Sequence, residues 1–205
     1  MAPSEKILRA ACLALAEKDA ALASAYATVD LPTWRVRDAD YKTLARIVVY
    51  QLISTKAADA IWRRVLARFD ALSAPALLAD DQDALLACGL SRPKLAHLQA
   101  IAAAVLDGTL DFPALAEMPI AEARKRLLSV RGIGPWTADT FLMTALGYLD
   151  AFPHGDVGLM EAYKRLSAAE ERLSSKAFSA LAETWRPHRA VAAHLLYDWL
   201  NAGRT

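Results

Sequence analysis

Cysteine is almost missing from this chain: Cys12 and Cys88 are its only two in 205 residues. That excludes a disulfide scaffold, a four-cysteine zinc site and a four-cysteine iron–sulfur cluster. A reducing compartment suits this count best, so a cytoplasmic location is expected. Charge of one sign is missing too. Lys and Arg number 24 against 23 Asp and Glu, a formal net charge of +1, which excludes a polybasic arm or an acidic tail but leaves a local basic patch open. Charges interrupt every apolar run before it could span a bilayer. The opening Met1-Ala2-Pro3-Ser4-Glu5-Lys6 lacks the basic-then-apolar order of a signal peptide. No membrane partner is expected. Glycine and proline are scarce, 8 and 9, and no Ser/Gly linker, low-complexity tract or repeat period appears. Alternating β-branched runs are also lacking. Ile47-Val48-Val49-Tyr50 could be a strand, but its continuation through Trp62 has helical spacing.

Alanine is abundant, with 44 residues, and hydrophobic residues make up 55% of the chain. Alanine is the best helix former, and the apolar spacing is mostly three to four. The Ser, Asp, Gly and Pro punctuation predicts about ten helices. The segments fall near 4–27, 41–53, 56–69, 75–79, 81–87, 92–107, 112–116, 120–129, 135–147, 156–167, 174–182 and 187–201. With short loops between them, the chain reads as one all-α domain.

The most informative stretch is Leu127-Leu128-Ser129-Val130-Arg131-Gly132-Ile133-Gly134-Pro135-Trp136-Thr137-Ala138. An amphipathic helix precedes it and another follows. Pro135 suits the first turn of the second helix, where its missing N–H costs nothing. Gly132 and Gly134 allow a tight turn with uncovered amides, and exposed amides at a helix start form an anion site. Ile133 would point inward and pin the helices together. The plain alternative is an ordinary helix–turn–helix joint with a glycine terminator. A dinucleotide fingerprint is excluded, because Thr137 stands where its third glycine would be and no strand precedes.

Twenty residues beyond Trp136 comes Phe152-Pro153-His154-Gly155-Asp156-Val157-Gly158. Asp156 opens a helix, and Asp is a preferred N-cap. A helix N-terminus also favours an ionised carboxylate. A fixed negative charge there can stabilise a cationic transition state electrostatically. The two readings are compatible. Asp139, on a helix face, and Asp150, in a turn, are poorer candidates.

Together these segments resemble the helix-hairpin-helix (HhH-GPD) base-excision DNA glycosylases. Within them the chain is similar to the DNA-3-methyladenine glycosylase II, or AlkA-like, branch, over about residues 35–201. The resemblance implies a two-lobed all-α fold with an active-site cleft between lobes. The hairpin lobe would span about 41–147, and the second lobe about 1–40 plus 157–205. The 30 to 40 residues before the helical core leave no room for the N-terminal β-rich domain of longer relatives. The resemblance implies that Asp156 is the catalytic residue. It also implies that Gly132, Ile133, Gly134 and Thr137 of the hairpin bind DNA backbone, with a monovalent cation held by hairpin carbonyls. No other metal or cofactor is expected.

Some relatives carry a lysine nucleophile in the second hairpin helix. Trp136 stands at that position here, so the resemblance implies a monofunctional enzyme that uses water and leaves an abasic site. Trp136 would line the base pocket, where a tryptophan face attracts the positive charge of alkylated purines such as 3-methyladenine and 7-methylguanine. Tyr197 matches a second pocket aromatic. Packing roles are the alternative for both. Tyr50-Gln51-Leu52-Ile53-Ser54 matches the family's wedge loop and puts at Leu52 the side chain that fills the gap left by a flipped base. A core leucine is the alternative there. Gly89-Leu90-Ser91-Arg92-Pro93-Lys94 matches a family turn in which Arg92 and Lys94 would touch phosphate, with solvated surface charge as the alternative. Thr140 and Val157 are non-aromatic at places that can carry pocket aromatics, which implies a more open pocket.

The expected partner is therefore double-stranded DNA carrying alkylated bases, bound by a monomer. Two rivals differ in kind. One is a non-catalytic helix-hairpin-helix DNA-binding module, and the other a glycosylase for a different lesion, such as a deaminated base.

Overall fold

The computed structural model describes residues 2–203. Thirteen α-helices occur among them, with no strand. In chain order they are α1 (Glu5–Lys18), α2 (Ala20–Val29), α3 (Tyr41–Tyr50), α4 (Thr55–Leu66), α5 (Ala74–Ala79), α6 (Gln82–Ala87) and α7 (Arg92–Leu106). There follow α8 (Phe112–Glu117), α9 (Ile120–Leu128), α10 (Pro135–Thr144), α11 (Val157–Leu166), α12 (Ser175–Ala182) and α13 (Arg189–Ala202). The chain forms two compact units, one of Met1–Val36 with Gly147–Thr205, the other of Arg37–Leu146.

The punctuation works as expected at most helix starts. Ser or Asp side chains cap all of these helices except α9, α10 and α13. Each such cap satisfies an amide that the helix itself cannot, worth about 1 kcal/mol. One of these caps breaks an expected element. The helix predicted over 4–27 is two helices, because Asp19 is extended (φ −147°, ψ 115°) and accepts from the amides of Ala21 and Leu22. Its other carboxylate oxygen accepts from Trp185 Nε1 at 2.9 Å and the Tyr163 hydroxyl at 3.1 Å. The predicted helix 41–53 stops early, at Tyr50.

In the Arg37–Leu146 unit, α7 packs against α3, α5 and α6, while α10 packs against α3 and α9. Leu98, Ile101 and Ala102 of α7 and Leu44, Val48 and Val49 of α3 are fully buried. Tyr41 ties α3 to α7 by donating to the Leu98 carbonyl. In the other unit, α13 packs against α1, α2 and α11. There Phe152, Tyr163, Phe178 and Trp185 form an aromatic cluster with ring centroids 5.4 to 5.8 Å apart, a spacing that adds to their burial energy. No helix among the described residues is long and apolar enough to cross a membrane.

Candidate active site and DNA-binding hairpin

In the Arg37–Leu146 unit, the hairpin joins α9 to α10 through residues 129–134. Arg124 of α9 forks onto Asp139 of α10, with Nε–Oδ1 2.6 Å and Nη2–Oδ2 3.1 Å. Asp139 is buried, so this pair holds the two helices together, and Asp139 is a structural carboxylate. Gly132 has φ +94°, and a Cβ there would lie 2.5 Å from Cβ of His97. Both the turn and the close approach to α7 require glycine. Gly134 differs from the expectation. Its backbone is extended (φ −86°, ψ 175°), and a Cβ would meet nothing within 4 Å. It serves the hairpin by leaving the start of α10 open.

That start has no side-chain cap. Among the described residues, nothing accepts from the Gly132 and Gly134 amides. Ile133 is buried, as the inward-pointing expectation had it, and its amide donates to the Val130 carbonyl at 3.1 Å. It shapes the turn and has no free N–H for DNA. The Thr137 side chain is likewise buried, and its hydroxyl accepts from Gln51 Nε2 at 2.6 Å. Any DNA contact at Thr137 is therefore a backbone contact. Trp136 is partly exposed on the first turn of α10.

The Gln51 amide leads to the loop between α3 and α4. Leu52 has φ +58° and is fully exposed, at 102% of its reference area. A core role for it is excluded. Lys94 is partly buried, and its ammonium donates to the carbonyls of Val49 (2.7 Å) and Gln51 (2.8 Å). Burial pushes its pKa down. Two of its three hydrogens are thus engaged by the backbone at and beside the Leu52 loop. Arg92, beside it, is exposed.

In the other unit, the segment before α11 is anchored link by link. Arg189 forks onto Asp150, at 2.9 Å on each oxygen, with Arg186 adding a third contact. Asp150 is thus a structural carboxylate as well. Phe152 enters the aromatic cluster, Ala151 and Pro153 are buried, and the Asp156 amide donates to the Pro153 carbonyl at 2.8 Å. Asp156 then caps α11, its Oδ1 accepting from the Leu159 amide at 3.0 Å. The capping expectation holds.

The Tyr197 hydroxyl of α13 is hydrogen-bonded to the Asp156 carboxylate. Burial and then this carboxylate push the phenol well above its ordinary value, with Arg35 opposing, so it stays protonated and donates. A Cβ on Gly158 would lie 3.1 Å from Asp156 Oδ1 and 3.9 Å from Tyr197 Cε1. The bare Gly158 therefore keeps that side of the carboxylate uncrowded. Arg35 in turn pairs with Asp198, which also accepts from the Thr33 amide at 2.6 Å. Sequence reading missed the Asp156–Tyr197 and Arg35–Asp198 links, which join segments far apart in the chain.

Known proteins resemble the chain in sequence and in fold. Residues 45–187 match the family described as "HhH-GPD superfamily base excision DNA repair protein". The putative DNA-3-methyladenine glycosylase YfjP of Bacillus subtilis is 35% identical over 95 residues, covering 46% of this chain and 32% of that protein. DNA-3-methyladenine glycosylase 1 of Schizosaccharomyces pombe is 29% identical over 161 residues, covering 77% of this chain and 71% of that one. The chain thus spans about a third of YfjP but most of the yeast protein. A crystal structure of a DNA-3-methyladenine glycosidase from Bacillus halodurans superposes with a TM-score of 0.75 at 28% identity, covering 98% of this chain and 90% of that one. S. pombe Mag1 in complex with abasic DNA superposes at 0.82 with 24% identity, covering 91% and 94%, a likeness of fold.

Proposed function

The chain belongs to the HhH-GPD superfamily of base excision DNA repair proteins, and we propose that it is a monofunctional DNA glycosylase for alkylated purines in double-stranded DNA. The observation that carries this reading is Asp156, a carboxylate fixed at a helix N-terminus by the Leu159 amide and the Tyr197 phenol. Names among its relatives supply the lesion class, since both YfjP and the yeast protein are called DNA-3-methyladenine glycosylases.

Each unit contributes its own part. In the hairpin unit, the open start of α10 and the free Gly132 and Gly134 amides receive a phosphate. Leu52 fills the stack when the damaged nucleotide turns out. Trp136 offers an aromatic face to a base that carries positive charge. In the other unit, Asp156 supplies the negative charge. As the C1′–N bond breaks, its electron pair leaves with the base, which turns from a cation into a neutral molecule. The sugar becomes oxocarbenium-like and is stabilised by the carboxylate. Water adds at C1′ and gives up a proton, leaving an abasic site in an intact strand. Helix α10 contains no lysine, so the chemistry assigned here needs no Schiff base and no strand cleavage.

The carbonyls of Arg131, Gly132 and Ile133 accept no hydrogen bond among the described residues. They are the oxygens that would hold a monovalent cation of the kind the family resemblance implies. Such an ion would supply positive charge beside a phosphate.

The test is base release from methylated duplex DNA by the wild type and Asp156→Asn, resolving 3-methyladenine from 7-methylguanine. Release by the wild type only, with unbroken abasic strands, is expected. Binding without release would indicate the non-catalytic module or another lesion class. Equal release by Asp156→Asn would remove the carboxylate from the mechanism.

A further inference from the structure

Lys94 sits where a cation is least favoured. It lies in the first turn of α7, at the positive end of the helix dipole. It is partly buried, and among the described residues it forms no ion pair. Its compensation is two short hydrogen bonds to the carbonyls of Val49 and Gln51. Those carbonyls lie at the last turn of α3, the negative end of that helix. Just beyond them comes Leu52, in the left-handed region with its side chain wholly in solvent. A leucine held there costs about 1–2 kcal/mol, so something must hold it. Helix α4 starts at its Ser54 cap, leaving only Gln51, Leu52 and Ile53 between helices. The Gln51 side chain is in turn bonded to Thr137 of the hairpin helix.

We propose that Lys94 is a positioning residue: it clamps the Gln51–Ile53 loop in the strained form that presents Leu52 to the DNA stack, and it does not act as a phosphate contact. The Gln51–Thr137 bond fastens the same loop to the hairpin, so backbone grip and wedge are held as one piece. This inference rests on the glycosylase reading for what Leu52 does, but the clamp can be tested without it.

The experiment compares wild type, Lys94→Met, Leu52→Ala and the double variant. Lys94→Met keeps the apolar stem and removes the charge; Lys94→Gln, which removes the charge but keeps a shorter amide donor group, replaces it should it fail to fold. Single-turnover release of 3-methyladenine should fall about tenfold in each single variant and no further in the double, because residues acting through one another are not additive. The salt dependence of duplex binding should keep its wild-type slope. A lost phosphate contact would lower that slope by about one. Amide exchange at residues 50–54 of the free protein should speed up in Lys94→Met. A slope lower by one, multiplying losses in the double variant, or a lower melting temperature with unchanged release would each overturn the clamp. If the wild type releases no base at all, the glycosylase reading fails by itself. Slope and exchange then still decide the clamp, which stands only if the slope holds and exchange speeds up.

Discussion

Tyr197 donates its hydroxyl to the carboxylate of Asp156, joining the face of α13 to the first turn of α11. The phenol is held well above its ordinary value by burial and by that carboxylate, so it does not lose its proton at any working pH. The bond fixes a carboxylate that the Leu159 amide holds from the helix side. Tyr197→Phe should lower single-turnover base release about tenfold, the worth of a hydrogen bond to a charged group. Asp156→Asn should lower it about a thousandfold. Adding Tyr197→Phe to Asp156→Asn should cost nothing more, since the phenol acts through the carboxylate. Full additivity in single-turnover rates would give Tyr197 a separate role.

The two hairpin glycines should separate folding from binding. Gly132→Ala must take a left-handed backbone and drive its Cβ into His97. It should lose about 2–4 kcal/mol of stability. Gly134→Ala projects into open space and should melt within about 0.5 kcal/mol of wild type. Gly134→Asp should fold equally well yet bind duplex DNA at least about tenfold more weakly, because it sets a negative charge where the proposed function brings a phosphate. Thermal melts and binding isotherms on the same three proteins check this. Unchanged DNA affinity in Gly134→Asp would take the hairpin out of the interface.

The sequence made these local devices legible because their chemistry is local. A Ser or Asp cap, a Gly-Ile-Gly turn, and an Asp at a helix start can each be seen within a few residues. The helix break at Asp19 was not legible, since an Asp in an alanine-rich stretch looks like an exposed helical position. What makes it a cap is partly Trp185 and Tyr163, far along the chain. The Lys94 contacts were not legible for the same reason. Beside Arg92 the lysine reads as surface charge, and only folding brings it to Val49 and Gln51. Leu52 was placed by motif alone, and its backbone strain has no signature in its own residue type.

The Arg124–Asp139 fork should matter more for stability than most pairs. Its carboxylate is nearly out of solvent, at 6% side-chain exposure, while the guanidinium is partly exposed. Arg124→Met leaves a buried charge without its partner. The loss should be about 2–4 kcal/mol, at the lower end for a buried pair because water reaches the arginine side. The double variant Arg124→Met/Asp139→Leu should recover most of it. Urea unfolding of the three proteins gives the answer, and no recovery in the double variant would mean that the fork does more than neutralise Asp139.

His194 gives the fold an acid limit. Its ring is fully buried against Trp34, with centroids 4.4 Å apart. Burial first, then the nearby Arg35 charge, lowers its pKa from 6.5 to about 4, with Asp198 opposing. Between those values the unfolded chain binds a proton that the folded chain refuses. Stability from this group is therefore whole above about pH 6.5 and falls as pH drops towards 4, by about 3 kcal/mol in all. His194→Gln removes the titration and leaves an acceptor for Arg35. Urea unfolding near pH 7 and near pH 4.5 should give a wild-type loss about 2–3 kcal/mol larger than that of the variant. Equal losses in the two proteins would mean that His194 takes up its proton in the folded state as readily as in the unfolded one.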